Sequence, residues 1–140
     1  MNELWKVLKD TEGPVVTLLK DIDSNPGRGA STGDGMSRNQ KFYGVVGCIV
    51  DGTVRDVPGI KKVGLPVMGW GTVPGHGPFL LHSVNKPLVI CDMEVSAGDI
   101  IFADLDGCCK VPVSHAEEIV ACAGEIRRWE SEVFEYFRSP

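Results

Sequence analysis

No apolar run in this 140-residue sequence is long enough to cross a bilayer. The longest, Val45–Val50 and Leu65–Trp70, stop far short of the roughly 20 residues a membrane helix needs. Basic charge is also scarce. Fourteen Lys and Arg against nineteen Asp and Glu give a net charge of -5, and the cations are scattered along the chain. Phosphate neutralisation, and with it nucleic-acid binding, is therefore not expected. C-x-x-C pairs are missing: Cys48, Cys91, Cys108, Cys109 and Cys122 are odd in number and either adjacent or far apart. That excludes a disulfide framework and a structural zinc site, and all five cysteines read as packing residues. His76, His82 and His115 share no metal-ligand spacing, so neither a His-based metal site nor a Ser-His-Asp triad is expected. Met1–Asp10 lacks the basic-then-apolar order of a signal peptide, so the expected location is the cytoplasm.

What is present is a globular composition, 43% hydrophobic and 24% charged, that suits one domain over residues 1–140. Leu4, Trp5 and Leu8 recur at helical spacing, which predicts a short helix over Asn2–Lys9 stopped by Gly13-Pro14. Val15–Lys20 and Val45–Asp51 read as buried strands. Between them, Asp21–Gly35 is a Gly-rich loop, and Met36–Tyr43 a helix with Asp34 near its start. Asp56 followed by Pro58 opens a short helix to about Val63, Pro66–Trp70 is a short strand, and Gly71–Pro78 is a loop. Leu88–Val95, Asp99–Ala103 and Cys108–Val111 are three further strands separated by turns. Ser114 and Glu117 match a capping box, and Ile119, Cys122, Ile126, Val133 and Phe137 form an apolar stripe on a long C-terminal helix ending at Arg138. Strands alternating with helices, without an internal repeat, point to an α/β domain.

The chemistry-bearing pattern is Gly33-Asp34-Gly35-Met36, then twenty residues after Asp34, then Arg55-Asp56. Taken singly, Asp56 reads as a helix N-cap, Arg55 as a surface ion-pair partner, and Asp51, Asp104 and Asp106 as turn carboxylates. Taken jointly, Asp34, Arg55 and Asp56 read as a site. Glycines beside Asp34 let backbone N–H groups approach an anion at a helix start, Asp56 is a hard oxygen donor of the kind Mg²⁺ and Mn²⁺ prefer, and a guanidinium can clamp a carboxylate.

These residues, together with Val95-Ser96-Ala97-Gly98-Asp99-Ile100-Ile101 and Ala103-Asp104-Leu105-Asp106-Gly107, resemble the RraA-like family. That family includes the divalent-metal-dependent 4-hydroxy-4-methyl-2-oxoglutarate aldolases and the regulator of ribonuclease activity A. The resemblance runs from Val15 onward. It implies a swivelling β/β/α fold with a central sheet flanked by helices. It further implies that Gly33, Asp34, Gly35, Met36 and Arg55 bind a small 2-oxo acid such as pyruvate. Asp56 would hold Mg²⁺ or Mn²⁺, and the catalytic pair would be Arg55 and Asp34, the latter acting through a water on the metal. The implied activity is retro-aldol cleavage to pyruvate, or oxaloacetate decarboxylation.

The chain departs from the family in two places. Only eleven residues precede Glu12, where family members carry further elements. Self-association into a trimer or hexamer is expected to cover the sheet surface this leaves open. Aldolase-competent members also carry an acidic residue three positions after the aspartate of the Arg-Asp pair, where this chain has Gly59. A lyase and a non-catalytic binding or regulatory protein therefore both stay open.

Overall fold

The computed structural model describes residues 2–138, which divide by backbone contacts into two compact units, one ending at Ala97 and the other beginning at Gly98. In the first unit, α1 (Asn2–Asp10) leads into β1 (Val15–Lys20), β2 (Ala30–Thr32), α2 (Asp34–Phe42), β3 (Val45–Asp51) and β4 (Thr53–Val54). Then come α3 (Val57–Val63), β5 (Val67–Met68), β6 (Gly71–Thr72), β7 (Leu88–Ile90) and β8 (Met93–Val95). Strands β1, β3 and β5 form one parallel sheet in that order, and β2, β4 and β6 a second. In the second sheet β4 follows directly on β3, and β6 on β5. Backbone bonds carry the ladder across the break, from Asp21 N to Asp51 O (3.0 Å) and from Trp70 N to Gly52 O (2.8 Å). Helices α2 and α3 are the crossovers that parallel pairing requires.

Val45–Val50 forms the central strand because it can be covered on both faces. Val45, Cys48, Ile49 and Val50 are all buried there, the pattern of an interior parallel strand, while Val46 is exposed. Leu8, Val54 and Leu65 complete the core cluster, and the Trp5 and Tyr43 rings stack with centroids 5.7 Å apart. Each such fully buried aliphatic side chain stabilises the fold by about 1.5–3 kcal/mol. Burial also pushes the Cys48 thiol up from its ordinary pKa, against smaller opposing effects of hydrogen bonds with Thr17 and Gln40.

In the second unit, β9 (Ile100–Asp104) pairs antiparallel with β10 (Gly107–Val111). A 3-10 turn at Val113–His115 then precedes α4 (Ala116–Arg138). The α/β class and the long C-terminal helix are as expected from the sequence.

Several local expectations are corrected. Leu88–Val95 is a hairpin rather than one strand, because Cys91 and Asp92 both adopt left-handed backbone (φ 48° and 60°) and reverse the chain in two residues. Short strands lie at Ala30–Thr32 and Gly71–Thr72, inside segments expected to be loops, and α2 starts at Asp34. The Ser114–Glu117 capping box does not form: Ser114 sits in the 3-10 turn with its Oγ 2.7 Å from His115 Nδ1. No residue of α4 is buried, so its apolar stripe is not consumed by packing. Of the cysteines, only Cys48 is a packing residue; Cys91, Cys109 and Cys122 are exposed and Cys108 is half-buried.

Candidate functional site

The C-terminal ends of β2 and β4 lie side by side, and the register places the two halves of the sequence pattern next to each other. Arg55 N donates to Thr32 O (3.0 Å), which sets Arg55 beside Gly33. Asp34 opens α2, and Ser37 closes its first turn by donating from both N (3.0 Å) and Oγ (2.9 Å) to Gly33 O. Ser37 is fully buried, so this turn is anchored. The N–H groups of Asp34, Gly35 and Met36 belong to that first turn and have no intrahelical acceptor.

Asp56 adopts left-handed backbone (φ 55°, ψ 37°), a conformation costing a non-glycine residue about 1–2 kcal/mol. Its carbonyl accepts from Gly59 N (2.8 Å) and Ile60 N (2.9 Å), which opens α3. Its carboxylate does not cap that helix. Instead Oδ2 lies 3.3 Å from Arg55 Nε, with the two side chains 39% and 37% exposed. The N-cap reading is thus corrected for the side chain: the twist at Asp56 turns the carboxylate away from the α3 N–H groups and toward Arg55.

Two glycines allow the close approach. A Cβ on Gly33 would fall 2.8 Å from Asp56 Oδ2 and 3.0 Å from Arg55 Cγ. A Cβ on Gly59 would fall 2.7 Å from Asp34 Cβ and 2.9 Å from Asp34 Oδ2. Gly59 is therefore a packing requirement of the site, and the space in which its side chain would sit is held by Asp34. Gly33, Arg55 and Asp56 meet, Asp34 follows Gly33 at the start of α2 and approaches Gly59, and Gly35 and Met36 lie in the same helical turn. Gly35 has nothing within 4 Å of a built Cβ, leaving that turn open.

One further residue, Arg38, lies outside the sequence pattern, and two others, Gly59 and Asp51, take roles other than those expected. Arg38, one turn beyond Asp34, places Nη2 3.7 Å from Asp34 Oδ2; the (i, i+4) spacing was the available signal. Gly59 was noted only for the acidic side chain it lacks. Asp51, read as a turn former, instead accepts from Trp70 Nε1 (2.9 Å) and Cys91 N (3.3 Å) and lies 3.8 Å from Lys20 Nζ. It ties β3 to the β7–β8 turn.

The donor set decides which metal such a site suits. Among the described residues no cluster of three or more His, Cys, Asp or Glu is present. Asp34 and Asp56 supply two carboxylates, each 39% exposed at the side chain and so open to water. Mg²⁺ or Mn²⁺, bound through one or two carboxylates with water filling the remaining positions, fits this set; a tetrahedral zinc site does not.

The model of the RraA-like family, described as Aldolase/RraA, matches residues 2–109. The chain belongs to the RraA-like family. It is 35% identical over 100 residues to an uncharacterized protein of Methanocaldococcus jannaschii, covering 71% of this chain and 48% of that protein. It is 27% identical over 92 residues to a putative 4-hydroxy-4-methyl-2-oxoglutarate aldolase of Halalkalibacterium halodurans, covering 65% and 44%. The chain thus spans about half the length of these curated relatives. Among solved structures it superimposes with a TM-score of 0.72 on Streptomyces coelicolor RraAS2, described as an unusual member of the RNase ES inhibitor RraA family. The identity there is 31%, over 98% of this chain and 68% of that one. The RNA-processing inhibitor RraA of Thermus gives a TM-score of 0.65 at 27% identity, over 79% and 66%.

Proposed function

We propose that this RraA-like chain is a divalent-metal-dependent lyase. It would cleave a 4-hydroxy-2-oxo acid of the 4-hydroxy-4-methyl-2-oxoglutarate type to pyruvate, or decarboxylate oxaloacetate. The observation that carries this reading is the convergence of Arg55 and Asp56 on Gly33, at the open first turn of α2. The name of the Halalkalibacterium relative supports it.

In the cleavage the C3–C4 bond breaks and the C4 hydroxyl loses its proton to become the carbonyl of the leaving fragment. The electron pair remains on the pyruvyl half as an enolate, which is protonated at C3. In the decarboxylation the same bond breaks with loss of carbon dioxide. Asp56 would hold the ion, which would supply a Lewis acid to draw charge from the 2-oxo oxygen. Arg55 engages Asp56 through Nε, so its terminal nitrogens are left to grip the substrate carboxylate and the developing enolate. The first-turn N–H groups of α2 would add oriented dipoles for a bound anion. Asp34 would accept or return a proton by way of water.

The test measures pyruvate release from oxaloacetate with and without EDTA, against the background of metal alone. A protein-dependent increment that EDTA abolishes is expected. Arg55→Lys should lose at least about 10²-fold in rate, because lysine keeps the charge and loses the planar fork. No increment from folded protein would favour a second reading, a binding or regulatory protein without turnover. That reading is supported by Gly59, where aldolases carry an acidic side chain, and by the two structural neighbours named as ribonuclease or RNA-processing inhibitors. Under either reading we expect a homo-oligomer, a trimer or hexamer, with the exposed apolar stripe of α4 as one surface available to cover. No helix among the described residues is long and apolar enough to cross a membrane, and a cytoplasmic location with no nucleic-acid partner accompanies both readings.

A further inference from the structure

We propose that the apolar face of α4 is a docking surface for an amphipathic helix of another protein, one with apolar residues at heptad spacing and Lys or Arg along its edges. The inference concerns the second unit alone and does not depend on the 2-oxo-acid site.

Ile119, Cys122, Ile126, Trp129, Val133 and Tyr136 follow one another at intervals of three, four, three, four and three residues. That is the repeat with which one helix seats its side chains between those of a second. Along α4 it makes a seam of about 25 Å, at about 1.5 Å per residue. Ile119, Cys122, Ile126, Trp129 and Tyr136 are exposed, and none of residues 98–138 is buried. The first half of the seam is already concave, with Pro112, His115, Glu118, Ile119, Cys122 and Ile126 lining an open groove. A helix without a buried residue gains little from tertiary packing, and the β9–β10 hairpin of the same unit is only two-stranded. Covering the seam would stabilise α4.

Charge selects what covers it. Glu118, Glu125 and Glu132 directly precede Ile119, Ile126 and Val133, and Glu130 directly follows Trp129, so the positions flanking the seam carry four carboxylates and no cation. The basic residues of α4, Arg127, Arg128 and Arg138, fall outside those positions, and Arg138 Nη1 donates to Glu135 Oε1 at 2.9 Å. A second α4 is therefore a poor occupant. Antiparallel pairing would lay the edge of Glu118, Glu125 and Glu132 along the same edge of the other copy, and parallel pairing would set Glu125 against Glu130. An anionic membrane surface meets the same repulsion. A helix edged with Lys or Arg instead finds an opposite charge at each flanking glutamate, while its apolar residues fill the seam.

The test is fluorescence anisotropy on the full chain with three labelled synthetic peptides of about 21 residues, or three heptads. The first carries Leu along its seam and Lys at the flanking positions, the second has Glu in place of those Lys, and the third scrambles the order of the first. The Lys peptide should bind at least about tenfold more tightly than either of the others, with its advantage over the Glu peptide shrinking as salt rises. Joint replacement by Glu118→Lys, Glu125→Lys, Glu130→Lys and Glu132→Lys should reverse the choice in favour of the Glu peptide. Glu117→Lys with Glu135→Lys, on the outer face, should leave the Lys peptide within about twofold, whereas Ile126→Asp should weaken it by about tenfold or more. All these positions are exposed, so the variants are expected to fold, which circular dichroism checks. Equal affinity for the Lys and Glu peptides, or an equal loss from the outer-face pair, would reduce the effect to net charge and overturn the proposal. Binding of none of the peptides would overturn it too; an oligomer in sedimentation with Cys122 closed to a thiol reagent would then give the seam to a second copy.

Discussion

Replacing Gly59 by alanine tests the packing logic of the site without touching a charged group. In an ordinary helix the change stabilises, because glycine loses more backbone entropy and is disfavoured by about 0.5–1 kcal/mol relative to alanine. Gly59 lies within α3 and donates its N–H to Asp56 O at 2.8 Å, so that gain is available here in principle. The new Cβ, however, would stand 2.7 Å from Asp34 Cβ, where carbon atoms normally settle at about 3.5–4.0 Å. The obstacle lies next to the backbone of α2 and cannot rotate away, so α2 and α3 must separate. Overpacking of this kind costs about 1–3 kcal/mol. The net expectation is a loss of about 1–2 kcal/mol, or a fall of roughly 2–6 °C in Tm for a chain of this length. Urea denaturation followed by circular dichroism measures it, with Gly35→Ala as the comparison. Gly35 is also helical but has nothing within 4 Å of a built Cβ, so alanine there should be neutral or stabilising. If Gly59→Ala proves as stable as Gly35→Ala, the two helices are not held together in the way described.

Three other outcomes are expected. Asp56→Ala should abolish Mn²⁺ binding by calorimetry, since Asp34 alone remains at the site; unchanged heats would remove Asp56 from any metal role. Asp51→Ala should cost about 0.5–1.5 kcal/mol in urea denaturation and alter Trp fluorescence, because the exposed hydrogen bonds from Trp70 Nε1 and Cys91 N to its carboxylate are lost; an unchanged midpoint would contradict this. Burial keeps Cys48 protonated in the folded state, so above about pH 9 unfolding releases its proton and stability falls as pH rises. Cys48→Ala should flatten that slope in stability-against-pH measurements, and a thiol reagent should label exposed Cys109 in the native protein while sparing Cys48.

The local periodicities were legible without a structure. The spacing of Leu4, Trp5 and Leu8, the unbroken run at Val45–Val50 and the stripe along α4 each depend on neighbours within a few residues, and each specified its element. The spacing from Asp34 to Arg55-Asp56 likewise identified a candidate site, because a glycine-flanked carboxylate, a guanidinium and a second carboxylate occur together in that pattern. What the sequence could not show is what depends on contacts between distant segments. The parallel pairing of β2 with β4 put Arg55 beside Gly33, and the left-handed turn at Asp56 sent its carboxylate to Arg55 instead of to the helix it precedes. The approach of α3 to α2 made Gly59 a necessity of packing and gave Asp34 the space beside it. Asp51 looked like a turn residue because its partners, Trp70 and Cys91, lie nineteen and forty positions away. Propensity and periodicity act over one or two turns of chain, whereas a site is made by register and by close approach, and those are settled only when the strands pair and the helices pack.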